Sequence, residues 1–124
     1  MKVPNLIYIL VLSFFSVSTT LYAQKKIDIE YSGFLTFDEV NYPGAKIMVR
    51  DDKQQIHIIH ENMNLWCDKA IHYGKEDFFE AYGNVKMIQG DTINMTSKYA
   101  EYSGISQLAF ASGDVVLTDP NSKI

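Results

Sequence analysis

The sequence predicts an all-β domain built of stacked strands. After Gln24, apolar residues recur at every second position rather than every third or fourth, and β-branched and aromatic residues are frequent, which is the pattern of half-buried strands. Residues 63–87 also match residues 93–117 at a shift of 30 positions, which indicates a structural repeat. The identities at this shift are Asn64/Asn94, Ala70/Ala100, Gly74/Gly104, Ala81/Ala111, Gly83/Gly113 and Val85/Val115.

Turn signals divide the chain after Gln24 into segments of about four to eight residues, the usual length of a strand. The signals are Tyr42-Pro43-Gly44, Tyr73-Gly74, Gly83-Asn84, Gly90-Asp91, Ser103-Gly104, Gly113-Asp114 and Asp119-Pro120. In chain order, the segments predict strands at residues 27–31, 45–49, 55–61, 63–67, 70–73, 78–82, 85–89, 92–97, 99–102, 108–111 and 115–118. No segment shows a convincing helical period, so we predict no helix in this part of the chain.

Residues 1–23 have the order of a secretory signal peptide. One cation, Lys2, precedes a mainly apolar run at 6–15, and a hydroxyl-rich stretch of small residues ends at Ala23. The run is shorter than the roughly 20 apolar residues of a membrane-spanning helix, so we expect cleavage before Gln24 and a soluble domain, residues 24–124, outside the cytoplasm. An uncleaved N-terminal anchor is the alternative, because Leu21 is larger than the residue usual at that distance from a cleavage site.

Composition and charge exclude several classes of protein. A chain of 124 residues forms one ordinary domain. Its 11 basic residues are outnumbered by 15 acidic ones and are scattered, so the chain lacks the basic face that a nucleic-acid binder needs. The single cysteine, Cys67, excludes an internal disulfide framework and a zinc site with several thiolates from one chain.

Alternation places one set of side chains from both repeat copies on a common inner face, and nearly all of them are apolar. The set is Met63, Leu65, Cys67, Ala70, His72, Phe79, Ala81, Val85 and Met87 in the first copy, and Ile93, Met95, Ser97, Ala100, Tyr102, Ala109, Ala111, Val115 and Leu117 in the second. Small alanines and flexible methionines favour an open space between two walls. The alternative is that these side chains fill one another's space as the core of a sandwich.

Candidate metal and catalytic residues are few. His57, His60, Cys67 and His72 lie within 16 positions, but His57 and His60 are three apart and point to opposite faces of a strand. Cys67 and His72 share the inner face, yet two ligands fall short of the four in a structural zinc site. No nucleophile motif or glycine-rich phosphate loop is present. We therefore expect no catalytic residue, no metal site and no cofactor.

Aromatic side chains offer a further alternative, a stacking platform for a sugar. The candidates are Tyr73, Phe78, Phe79, Tyr82, Tyr99 and Tyr102. The acidic balance of the chain argues against a nucleic acid on the same platform.

The run GNVKMIQGDTINMTSKYAEYSG at residues 83–104 is followed by ASGDVVLTDP at 111–120, so a G-[ND]-V turn recurs at a fixed period. These runs, together with YPGAKIMV and MNLWCDKAIHYGKEDFFEAYGNV upstream, resemble the OstA-like (organic-solvent-tolerance) N-terminal domain family of periplasmic lipopolysaccharide-transport proteins. The similarity covers about residues 42–120.

The resemblance implies an open β-jelly-roll whose strands form a trough, with the acyl chains of lipid A on its inner face. The residues that would bind lipid are Met63, Leu65, Ala70, Phe79, Ala81, Val85, Met87, Ile93, Met95, Ala100, Tyr102, Ala109, Ala111, Val115 and Leu117. It also implies a periplasmic location linked to outer-membrane assembly, and end strands that pair with other β-jelly-roll transport proteins or with a second copy. The alternative function is a structural adaptor of the cell envelope that pairs by its edge strands and carries no lipid.

Two departures from the family pattern affect these expectations. The segment Asp51-Asp52-Lys53-Gln54-Gln55 stands where the family shows a G-[ND]-V turn, so we expect an altered turn there. The second copy ends close to Ile124, so we expect a short or incomplete trough that pairs to cover its ends.

Overall fold

The computed structural model describes residues 25–91 and 93–119, which form ten antiparallel strands and no helix. The strands are β1 (Asp28–Tyr31), β2 (Phe34–Thr36), β3 (Ala45–Val49), β4 (Ile56–His60), β5 (Met63–Cys67), β6 (Lys69–Tyr73), β7 (Phe78–Gln89), β8 (Ile93–Ser103), β9 (Ala109–Ser112) and β10 (Val116–Thr118). The predicted signal peptide, residues 1–23, lies outside the described residues.

The predicted strands are confirmed in order, mostly to within one residue at each end. Two pairs of predicted strands, 78–82 with 85–89 and 92–97 with 99–102, are the single long strands β7 and β8. Strand β2 is not predicted from the sequence, because three residues are too few to show an alternating pattern.

In the described residues, the ten strands join into six long strands, each bent at a corner. The chain continues from β1 to β2, from β3 to β4, from β5 to β6 and from β9 to β10 across a corner, whereas β7 and β8 cross it unbroken. Each long strand pairs with its neighbours in chain order, and the first and last pair on one side only, so the described sheet is an antiparallel meander. The result is an all-β fold of the open β-jelly-roll or trough type.

The bend divides the sheet into two walls. The first wall contains β1, β4, β5, the second half of β7, the first half of β8 and β10. The second wall contains β2, β3, β6, the first half of β7, the second half of β8 and β9. Because each long strand bends at its corner, the alternate residues of both walls face one common interior.

The G-[ND] pairs form two of the corners. Gly83 and Asn84 have φ angles of 82° and 44°, and Gly113 and Asp114 have 79° and 49°, so each pair is left-handed at both residues. A side chain on either glycine would press on the neighbouring strand, since a Cβ on Gly113 would lie 2.8 Å from the Cβ of Lys98. This geometry explains why the two turns share their residues at a spacing of 30; the internal repeat itself stays a prediction.

Candidate functional site

The inner faces of the two walls form the candidate site. Register across the second wall aligns four alanines on this face, Ala70, Ala81, Ala100 and Ala111. Register across the first wall aligns four longer side chains, Leu65, Met87, Met95 and Leu117. The first three members of each row belong to one apolar cluster between the walls.

The middle of the trough is filled by its own side chains. Ten of the fifteen residues predicted to bind lipid are at most 8% exposed. They are Met63, Leu65, Ala70, Phe79, Ala81, Val85, Met87, Met95, Ala100 and Tyr102. In this conformation, therefore, the middle is packed as a sandwich core, and the sequence-based alternative of a filled interior describes it better than an open gap.

The trough remains open at its C-terminal end. The other five predicted residues, Ile93, Ala109, Ala111, Val115 and Leu117, lie on or beside the last two long strands. Leu117 is 65% exposed, Val115 47% and Ile93 37%, whereas Ala111 packs partly against the core. Val115 and Leu117 reach solvent because none of the described strands covers the last long strand on its outer edge.

Hydrogen bonds close the long side of the trough opposite the corners, which we call the mouth. His60 at the end of β4 contacts the hydroxyl of Tyr102 in the other wall, with 2.7 Å between His60 Nδ1 and the hydroxyl oxygen. Residues 25–27, which we call the strap, cross the mouth. The carbonyl oxygen of Lys25 lies 2.9 Å from His60 Nε2, and the N–H of Ile27 donates to Asp77 Oδ1 at 3.1 Å.

Two of the residues considered for a metal site, His57 and His60, have other contacts. His57 faces outward and stacks on Trp66 with 4.6 Å between ring centroids, while His60 faces inward. Burial raises the pKa of the Cys67 thiol to about 12, so this side chain is a neutral thiol near pH 7. The described residues contain no group of three histidine, cysteine, aspartate or glutamate side chains placed to hold a metal ion.

The aromatic side chains divide between the two faces of the second wall. Phe79 and Tyr102 face inward, and the remaining candidates, Tyr73, Phe78, Tyr82 and Tyr99, face outward beside two glutamates. A shallow cavity of about 570 Å³ on this outer face is lined by Tyr73, Glu76, Phe78, Glu80, Glu101 and Ser103.

Tyrosine hydroxyls hold the two glutamates of this outer cavity. Glu80 accepts hydrogen bonds from Tyr73 at 3.2 Å and from Tyr82 at 3.0 Å. The Tyr99 hydroxyl lies 2.6 Å from Glu101 and 3.2 Å from Glu80, so these two carboxylates share its one proton. Burial and Glu80 raise the pKa of Tyr82 to about 12. The hydroxyls are therefore engaged with carboxylates, and sugar binding on this face stays a prediction.

A comparison with protein families identifies the chain. A model of the OstA-like protein family matches residues 24–124. The chain belongs to the OstA-like protein family. The family is associated with periplasmic lipopolysaccharide transport and is a transport and binding family rather than an enzyme family. A search of curated proteins finds no match to the chain.

In the part of this OstA-like chain that the structure describes, no helix is long and apolar enough to span a membrane.

The inner face of this OstA-like protein extends further than the sequence analysis predicts. Ile27, Met48, Ile56, Ile58 and His60 are also buried between the walls. The signal was present in the alternation of I-H-I-I-H at residues 56–60. This alternation is hard to recognise because the loop at 50–55 is longer than the glycine corners. The inward-facing positions before Met63 are therefore out of register with those of the two repeat copies.

Proposed function

We propose that this chain is a periplasmic module of lipopolysaccharide transport that receives acyl chains at the open C-terminal end of its trough. The observation that carries the proposal is the continuity of the apolar inner face, which runs from the packed core to exposed side chains on the last long strand. Family membership and the predicted signal peptide support the location and the cargo.

Apolar contact provides the driving force for this binding. Each methylene group hidden from water contributes roughly 0.8 kcal/mol. An acyl chain lying along Ala111, Val115 and Leu117 can therefore be bound without any single decisive residue. The Ala111 side chain is small and already touches the core, which leaves room for an acyl chain above it. Deeper entry requires the walls to part, because the middle is filled.

End strands provide a route for joining modules. Strands β9 and β10 pair only with β8, and β1 and β2 pair only with β4 and β3, in the described sheet. Strands at the edge of a sheet leave backbone N–H and C=O groups that another chain can satisfy. A partner added beside β10 would extend the trough in line and cover Leu117.

A structural adaptor without lipid is the second candidate, and the packed middle favours it. If the walls never part, the exposed apolar side chains on the last long strand serve only the contact with a partner. The two functions differ in whether an inward-facing side chain touches lipid.

Site-specific photocrosslinking tests this difference on one strand. A photoreactive residue at Leu117 faces inward and one at Val116 faces outward, and both positions are exposed by more than half. In the purified chain mixed with lipopolysaccharide, we expect a crosslink at position 117 that exceeds the one at position 116 by about tenfold or more. A third probe at Leu65 reports whether lipid reaches the packed middle.

Equal or absent crosslinks at positions 116 and 117 would eliminate lipid carriage and leave the adaptor function. A strong crosslink at 117 with none at 65 would support binding confined to the open end. Crosslinks at both inward positions would show that the walls part.

A further inference from the structure

The strap, residues 25–27, places an apolar side chain between the walls without belonging to the sheet. Ile27 is 8% exposed and is a member of the core cluster, although the strap precedes β1 and takes part in no strand pairing in the described sheet. A Cβ atom on Gly104 would lie only 3.0 Å from Cγ1 of Ile27. The strap therefore fills apolar space at the mouth of the trough.

Hydrogen bonds fasten the strap at both of its ends. The carbonyl oxygen of Lys25 lies 2.9 Å from His60 Nε2, and the N–H of Ile27 donates to Asp77 Oδ1 at 3.1 Å. Neither contact belongs to the pairing of two strands, and the side chains of Lys25 and Lys26 are exposed. The strap can therefore leave the mouth without breaking the sheet.

The closed mouth leaves one buried polar side chain unsatisfied. His72 points inward from β6 and is 7% exposed, and neither of its ring nitrogens has a hydrogen-bond partner in the described structure. The ring lies against the turn that carries Asp77, since a Cβ on Gly74 would be 3.9 Å from His72 Cε1 and the Asp77 N–H donates to the Gly74 carbonyl oxygen at 3.3 Å. Water entering an open mouth would satisfy the imidazole, which offsets part of the cost of moving the strap.

The space under the strap adjoins the open C-terminal end. Tyr102, which contacts His60 across the mouth, lies directly opposite Ala109 of the last long strand. The Ile27 contact at Gly104 follows the end of the same strand, β8. An acyl chain on the inner face of the last long strand is therefore one strand away from the space that the strap fills.

We propose that the strap is a displaceable plug and that an acyl chain takes the space of the Ile27 side chain when the strap leaves the mouth. The plug rests on the proposed function, because its ligand is the same cargo. Ile27 is itself a saturated hydrocarbon group within an apolar cluster, and an acyl chain offers the same chemistry. Replacing one hydrocarbon by another keeps the apolar area hidden from water, so the exchange has little net cost.

Hydrogen exchange at the Ile27 amide tests displacement in the unsubstituted chain. We expect saturating lipid A to speed exchange of this amide by about tenfold or more, because the amide loses its contact with Asp77. Amides in the middle of β7 should keep their protection. A ligand that binds with the strap in place would leave the Ile27 amide unchanged or slow its exchange, and that result would overturn the plug.

Photocrosslinking to lipid A at Leu65 tests what the plug blocks. We expect Ile27→Ala to raise the crosslink at Leu65 by about threefold or more and to change the crosslink at Leu117 by less than about twofold. The matched control is Ile29→Ala, which removes the same atoms from a partly buried side chain that packs against the same core. Ile29 is held in β1 opposite Ile58, so the control should keep the wild-type ratio of the two crosslinks.

The outcomes separate the plug from the proposed function. An equal rise at Leu65 in both variants would overturn the plug, because any loosening of the core would then admit lipid. A strong crosslink at Leu117 with none at Leu65 in Ile27→Ala would also overturn the plug and leave the proposed function intact. If lipid A crosslinks at neither position in the wild type or the variant, the proposed function fails. The exchange measurement keeps the plug testable if Ile27→Ala does not fold.

Discussion

At the scale of single residues, Gly104 shows how closely the mouth is packed. Its N–H donates to the carbonyl oxygen of Asp77 at 2.8 Å, immediately after β8 ends. A Cβ atom at this position would collide with the Asp77 carboxylate and lie 3.0 Å from Cγ1 of Ile27. The glycine is therefore required by the close approach of the strap, and it connects the end of one strand to the contact that holds residues 25–27.

We predict that Gly104→Ala lowers the free energy of unfolding by about 1–3 kcal/mol, because the Asp77 carboxylate must move away from the N–H of Ile27. Gly74→Ala is the control, since a Cβ there would meet only His72 Cε1, at 3.9 Å. The control should change the free energy of unfolding by no more than about 1 kcal/mol. Urea unfolding measures both, and equal effects would contradict the role given to Gly104.

At the scale of elements, Asp68 organises the corner where β5 passes into β6. Its carboxylate accepts hydrogen bonds from Asn84 at 2.7 Å, Gln55 at 3.0 Å and Arg50 at 3.4 Å, so it contacts the neighbouring corners on both sides. Partial burial raises the pKa of Asp68, but the hydrogen bonds from Asn84, Gln55 and Arg50 together lower it below its ordinary value. The altered turn at residues 51–55 thus contributes Gln55 to this cluster.

The lowered pKa of Asp68 predicts the direction of a pH effect. A carboxyl group with a lower pKa in the folded state stabilises the fold above the unfolded pKa, near 3.8, and this contribution is lost as the pH falls through the folded pKa. We expect Asp68→Asn to lower stability at pH 7 by up to about 1 kcal/mol, since the site is partly exposed.

Urea unfolding across pH values measures this contribution. The difference between the wild type and Asp68→Asn should shrink as the pH is lowered below 3.8. Asp52→Asn, an exposed neighbour in the 51–55 turn, should have little effect at any pH. A cost for Asp68→Asn that stays constant down to low pH would refute the electrostatic explanation.

At the scale of the whole molecule, the sheet is well supported in the middle and weakly supported at its C-terminal end. Strand β7 has twelve residues and pairs on both sides, with β5 and β6 on one side and β8 on the other. Strand β10 has three residues, all exposed, and among the described strands it pairs only with β8. The backbone with the fewest strand pairings therefore lies at the C-terminal end of the trough, where we propose that acyl chains bind.

We predict that amide hydrogens of β10 exchange at least about 100-fold faster than those in the middle of β7, because local opening of an exposed end strand costs less than opening the core. Hydrogen exchange followed by NMR measures both in the same sample. A partner that adds a strand beside β10 should slow its exchange and leave β7 unchanged. Comparable protection of β7 and β10 in the isolated chain would show that the end strand is more stable than its contacts indicate.

Local patterns predicted most of the secondary structure. Strands β3 and β5 have the predicted bounds, and the alternation in Met63, Leu65 and Cys67 correctly indicated the buried face. The G-[ND] turns at Gly83 and Gly113 also follow from residue type, since glycine readily adopts a left-handed conformation. The sequence did not predict that two of the predicted strands merge into β7, because a strand can pass through a left-handed corner and resume its pairing after a shift in register.

By itself, the sequence determined which residues form strands and which side chains face inward, because alternation is a property of neighbouring positions along the chain. Only the tertiary structure decided which inner residues are sealed and which are open. Leu65 and Leu117 occupy the same row of the first wall, yet one is fully buried and the other exposed, because the former has strands on both sides and the latter lies on the last one. Closure of the mouth by His60 and Tyr102 likewise depends on a contact between residues 42 positions apart, which no local pattern encodes.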